Sequence, residues 1–134
     1  MIKVKKEKVL ITPSMLKPSF PGFEILGTFN PGATRLPNGD IVLYVRVMEK
    51  LTKFEDKKYV YSPRMIGENE YKMKLDKFEK KTIEIGSELD FAFKDGTKRL
   101  TFMSHFRRVI LDKSGFGIKS IDSKPSFYGL KWDG

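Results

Sequence analysis

Two clusters of residue types in this sequence could do chemistry. The first is Asn30 with Arg46. Asn30 stands in Thr28-Phe29-Asn30-Pro31-Gly32-Ala33, a run of mostly small residues around an Asn-Pro pair that breaks regular structure and presents a polar side chain. An asparagine offers both a donor and an acceptor to hydroxyl groups, and an arginine offers a rigid fork for two oxygens. Arg46 lies within Ile41 to Val47, dense in β-branched and apolar residues, which predicts a strand buried on both faces. A guanidinium buried there needs a carboxylate, a phosphate or a set of hydroxyls. The plainer reading stands beside it: Asn30-Pro31 as a strand-entry turn and Arg46 as a residue reaching out from an edge.

The second cluster is Ser104-His105-Phe106-Arg107-Arg108. His105 is the sole histidine, so a histidine-pair metal site is excluded and a Ser-His-Asp triad has no independent support. A lone histidine in an apolar strand reads first as a hydrogen-bonded core residue. Strand alternation sends Arg107 and Arg108 to opposite faces. Asp40, Glu49, Glu88 and Asp90 are candidate carboxylates for glycoside chemistry, which needs a pair brought together in space. Asp40 reads as a turn residue and the others as parts of charged connections. Arg64, after Ser62-Pro63, could reach over a ligand or lie on a surface loop.

These residues must be positioned by strands. Leu36-Pro37-Asn38-Gly39-Asp40 predicts a hairpin turn, with Asn38-Gly39 supplying positive-φ positions. Residues 3–11 read as a short strand or extended arm, and Thr12 to Phe23, with three prolines, as loop. The strand after the hairpin ends near Val47, followed by a charged connection to Lys58. A second strand runs from Lys58 to Ser62 and stops at Pro63. Tyr71 to Asp76 alternates as an edge strand, Lys80 to Ile85 continues the rhythm, and Glu88 to Phe93 fits a strand or a helical turn. Lys94 to Thr97 is a turn. Lys98 to Leu111 is the second long strand pattern, with a bend near Ser104-His105, and a hairpin turn follows at Asp112 to Gly115. The tail to Gly134 carries no evident closing strand.

Short strands punctuated by Asn-Gly, Asp-Gly and Ser-Gly turns predict an all-β antiparallel protein. Two segments share a plan of turn, long apolar strand and hairpin return, a weak blade-like repetition. With 134 residues the chain is one domain or part of one, and 40% apolar with 13% aromatic residues can form a core. Absence of cysteine excludes disulfides and thiolate metal sites and fits a reducing interior. No apolar run approaches the ~20 residues of a membrane span, and the start lacks a signal-peptide core, so the expected location is cytoplasmic. The net charge of +9 makes an anionic partner plausible, although the lysines are spread along the chain.

Phe29-Asn30-Pro31-Gly32-Ala33-Thr34-Arg35-Leu36, then Gly39 to Val47, resembles the opening blade of glycoside hydrolase family 130, the inverting β-mannoside phosphorylases and related β-mannosidases. Ser62-Pro63-Arg64, Ser104-His105-Phe106-Arg107 and Asp112-Lys113-Ser114-Gly115 resemble the next landmarks of that family, so the likeness spans about residues 20 to 130. The resemblance implies a five-bladed β-propeller of which residues 1–134 are the N-terminal portion, with residues 1–22 as an arm and Pro-rich loop. It implies that Asn30 and Arg46 line a mannose pocket and that Ser104 and His105 form a substrate-binding landmark. Partners implied are a β-mannoside and phosphate, the latter as co-substrate with no other cofactor. The family's catalytic aspartate, in a Gly-x-Glu-Asp-Pro-Arg stretch, has no counterpart here. The chain is therefore expected to be inactive alone and to associate with the missing C-terminal propeller half or with itself. A β-mannosidase, or a small basic β-domain binding protein or nucleic acid, are the alternatives, nucleic acid being disfavoured.

Overall fold

The structure, a computed structural model, describes residues 3–66 and 72–129. Tyr71, expected to open a strand, and residues 130–134 of the tail lie outside the described residues. Among the described residues ten strands follow in order: β1 (Phe23–Arg35), β2 (Ile41–Leu51), β3 (Tyr59–Ile66), β4 (Lys72–Glu79), β5 (Ile83–Ile85), β6 (Asp90–Phe93), β7 (Lys98–Leu100), β8 (Phe102–Leu111), β9 (Ile118–Ile121) and β10 (Phe127–Tyr128). Pairing is antiparallel throughout, in a main sheet ordered β1-β2-β8-β10 with β9 also on β8, and two smaller sheets, β3-β4 and β5-β6-β7.

The two long apolar strands are neighbours in one sheet, not equivalent members of two repeats: β2 runs against β8 from Ile41↔Leu111 to Lys50↔Phe102. That pairing carries β2 four residues beyond the expected end at Val47, since Glu49 and Lys50 face Met103 and Phe102. Only one face of β2 is buried throughout, by Leu43, Val45, Val47, Glu49 and Leu51. The break in the second long pattern falls at Thr101, not at Ser104-His105. Thr101 is fully buried, donates from its amide to Leu89 and from its hydroxyl to Glu88, and so bends the chain between β7 and β8. Glu88 to Phe93 resolves as a strand over Asp90–Phe93.

Pro63 does not end its strand. In the β3-β4 ribbon it sits opposite Leu75, and a two-stranded ribbon leaves one edge of each strand free, where a missing N–H costs no ladder bond. The β1-β2 turn forms as expected, but only Gly39 takes a positive φ (+89°). Asn38 instead accepts the Asp40 amide on its side-chain oxygen. The tail gains a short closing strand, β10, on β8.

Residues 8–20 form a strap across the buried face of the main sheet. Leu10 and Ile11 pack on Leu43, Val45, Val109 and Leu111 at one end. Phe20 packs with Phe23, Leu51, Met65 and Met103 at the other. Between these apolar ends the sheet presents charged groups.

Candidate functional site

Alternation along β2 and β8 splits the candidate residues between two faces. On the open face Arg46 pairs across the ladder with Phe106, and Met48 with Ser104. The Arg46 Nε–H donates to Ser104 Oγ at 2.7 Å, which fixes the guanidinium across the sheet. Arg46 is exposed, contrary to the expected burial, because the odd-numbered residues of β2 point into the core and the even-numbered ones mostly out. Among the described residues its guanidinium meets one hydroxyl, that of Ser104, and it is exposed on the open face.

Asn30 lies on the neighbouring strand. It occupies a β-bulge within β1, not a strand-entry turn: the register passes from Phe29↔Arg46 to Gly32↔Tyr44, so Asn30 and Pro31 together oppose Val45. Asn30 adopts φ +38°, a conformation asparagine tolerates better than most side chains. Bulges re-aim side chains at the margins of sheets. Asn30 lines a cleft of about 230 Å³ with Lys8, Leu10, Ile11, Thr28, Leu43 and Val45, which lies on the strap side of the sheet, the face opposite Arg46.

His105 faces the other way. It is 3% exposed, and its Nε2 lies 2.7 Å from Glu49 Oε1. The same carboxylate oxygen accepts from Arg107 Nη2 at 2.8 Å and from the Ser19 hydroxyl, while Oε2 accepts the Ser19 amide at 2.7 Å. Arg107 Nη2 also donates to the carbonyl of Lys17 and to Ser19 Oγ, each at 2.8 Å. A carboxylate only accepts, so His105 Nε2 is the donor in this contact, and among the described residues its buried Nδ1 has no hydrogen-bond partner. Burial pushes the Glu49 carboxyl up, but the hydrogen bonds from His105 and Ser19 outweigh it and hold it below the usual carboxylate range.

The structure thus brings Arg46 and Ser104 together, sets Asn30 at the adjoining bulge, and places His105 behind the sheet in an ionic core that anchors the strap. Arg107 is buried and Arg108 exposed, as alternation requires. Glu49 belongs not to a charged connection but to the centre of this network. Its signal in the sequence is parity: it falls in step with Val45, Val47 and Leu51. The other carboxylates do not converge on Glu49. Asp40 is held down by its hydrogen bond from Lys119 at 2.7 Å, and Asp90 is engaged by the Ser87 hydroxyl. Arg64 lies in β3, where its Nε–H donates to Asp76 at 2.6 Å beside Arg99, so it is tied to a neighbouring strand. Among the described residues no group of His, Asp and Glu could hold a metal ion, and no helix is long and apolar enough to cross a membrane.

No family model matches the chain. A β-1,2-mannobiose phosphorylase of Listeria innocua serovar 6a is 31% identical over 134 residues, covering 92% of this chain and 35% of that protein. The solved structure of β-1,2-mannobiose phosphorylase from Listeria innocua, in complex with β-1,2-mannobiose, superposes with a TM-score of 0.68 over 90% of this chain and 34% of that one. The chain therefore spans about a third of the length of these relatives. The all-β antiparallel architecture matches that of the solved structure. Along nine-tenths of its length the chain is a relative of this phosphorylase, and the likeness to glycoside hydrolase family 130 carried by its motifs is upheld by sequence and fold together.

Proposed function

We propose that the chain is the sugar-binding N-terminal portion of a β-mannoside phosphorylase-like propeller, residues 1–134 contributing to one five-bladed domain. The observation that carries this reading is the Arg46–Ser104 pair: a guanidinium held at 2.7 Å by a hydroxyl on an open sheet face, beside an asparagine in a bulge. Arg46 offers a fixed fork, and Asn30 an amide at the neighbouring bulge, as groups that would hydrogen-bond sugar hydroxyls. Ser104 orients Arg46. His105 acts from behind, holding the register of β2 on β8 through Glu49. The solved relative holds β-1,2-mannobiose, which supplies the ligand class.

No residue of this chain is assigned as the proton donor, so the chain alone is inactive and phosphate enters only as co-substrate of a complete enzyme, in a cytoplasmic setting. The rest of such a propeller, as a further segment or partner chain, would supply the acid and the phosphate ligands. Ligand-observed NMR with β-1,2-mannobiose tests this reading. Arg46→Ala should abolish saturable binding with the fold unchanged by circular dichroism; binding equal to the parent would overturn it. Release of mannose 1-phosphate by the chain alone would overturn the assignment of inactivity.

A further inference from the structure

Away from the main sheet, three cations converge on one carboxylate. The β3-β4 register sets Arg64 opposite Lys74 and Ser62 opposite Asp76, so Arg64, Lys74 and Asp76 project from one face of the ribbon. Arg99 reaches that face from β7, which the Ser62 hydroxyl holds to the ribbon by donating to the Leu100 carbonyl at 2.7 Å. The Arg99 guanidinium lies 5.5 Å from the centroid of the Phe78 ring, which limits its freedom. Asp76 Oδ2 accepts from Arg64 Nε and Arg99 Nη2, each at 2.6 Å, and Lys74 Nζ lies 3.8 Å from Oδ1. Among the described residues Asp76 is the one carboxylate ion-paired to any of the three.

We infer that Arg64, Arg99 and Lys74 form a site for a phosphate dianion, free or as the head of a phosphomonoester. The argument is a mismatch of charge and of oxygen atoms. Three cations face one anion, so these groups carry a net charge of two positive units, which a dianion cancels and a single carboxylate does not. Each guanidinium meets Asp76 through one nitrogen, although its fork is built to engage two oxygens. Arg99 also keeps a buried Nε–H with no acceptor among the described residues. Because both guanidiniums touch the same carboxylate oxygen, one small tetrahedral ion can reach both. The side chains of Arg64, Arg99 and Lys74 are 24%, 30% and 56% exposed, so the cluster is partly desolvated yet reachable from water. Strands on two sheets hold it, so its arginines are ordered before an anion arrives.

Isothermal titration of the full chain with inorganic phosphate, at constant ionic strength against chloride, tests the inference. Binding should be saturable, with one site per chain. At about fifty times the dissociation constant, phosphate should raise the melting temperature by about 8 °C over chloride. Arg64→Gln and Arg99→Gln should each weaken binding at least tenfold. Arg108→Gln, which removes the same charge from the main sheet, should leave it within about twofold of the parent. Asp76→Asn removes the competing carboxylate and should tighten binding at least threefold. Circular dichroism establishes that each variant is folded. Methyl phosphate identifies the source: affinity equal to that of inorganic phosphate means that the site takes a phosphomonoester head, and much weaker binding means that it takes the free ion. A parent chain that binds no phosphate up to about 50 mM overturns the inference. So does binding that Arg64→Gln leaves intact, that Arg108→Gln weakens equally, or that Asp76→Asn fails to tighten; the cluster would then be a tether alone.

Discussion

Replacing Glu49 with glutamine should destabilise the chain severely while leaving its shape almost unchanged. The side chain is fully buried, as is nearly all of Arg107. Glutamine keeps the volume but removes the charge, so the Arg107 guanidinium stays buried without its counter-ion. Breaking a buried pair in this way costs about 3–5 kcal/mol. For 134 residues the unfolding entropy is about 0.28 kcal/mol/K, so the melting temperature should fall by roughly 10–18 °C. Arg107→Met alone should cost a similar amount, for it strands the Glu49 carboxylate. The double variant should recover most of the loss, because both charges are then gone and an apolar pair fits between the two apolar clusters. Urea unfolding followed by circular dichroism gives the cycle. Additive losses, or a Glu49→Gln variant within about 0.5 kcal/mol of the parent, would refute the reasoning. The pH profile carries the same sign. Glu49 has a folded pKa below its ordinary value of 4.5, so its contribution is complete above that value and disappears as pH falls through the folded one. Glu49→Gln should lack this acid-side loss. Because Ser19 bonds to Glu49 through both its amide and its hydroxyl, the same variant should expose the strap to proteolysis near residues 13–20 before global unfolding.

Asp76 ties the β3-β4 ribbon to β7, its Oδ2 accepting from Arg64 Nε and Arg99 Nη2, each at 2.6 Å. Burial pushes the Asp76 carboxyl up, and the Arg64 hydrogen bond with the two guanidinium charges brings it below the usual range. The groups are partly exposed, so Asp76→Asn should cost only about 1–2 kcal/mol by urea unfolding, and stability equal to the parent would refute a tethering role.

Much of the fold was legible because it rests on local signals. Turn residues placed the hairpins at Gly39, Gly96 and Gly115, each with positive φ, and β-branched runs placed β2 and β8. What sequence could not give was partnership. Nothing local says that β2 and β8 pair with each other over a separation of some sixty residues, and without that pairing Glu49 looks like the start of a loop. The proline misreading has the same origin: Pro63 forbids a central strand but not a ribbon edge, and only the sheet order tells which it is. A bend was expected at Ser104-His105 because those residues are polar, yet a polar residue within a ladder is held straight by its neighbours. Thr101, with its hydroxyl and amide both captured by residues 88 and 89, is where the chain turns.

The candidate site shows what the parity of a strand decides. Ser104 and His105 are adjacent in the chain, but one faces the open side with Arg46 and the other faces the ionic core with Glu49. Under the proposed function a sugar on the open face would meet the first, and the second would act on it only through the sheet. Its route is short: the strands that carry Arg46 and Ser104 also carry Glu49, His105 and Arg107, so the core ion pair and the surface pair depend on one register. A slip of one residue between β2 and β8 would bury Arg46 against the strap and turn Glu49 out to solvent. The buried charges therefore penalise the wrong register more heavily than an apolar core would, since a misplaced methyl group is tolerated where an unpaired buried carboxylate is not. On this argument the network fixes the geometry of Arg46, the residue proposed to meet the sugar, and its contribution to folding is the exclusion of the slipped sheet.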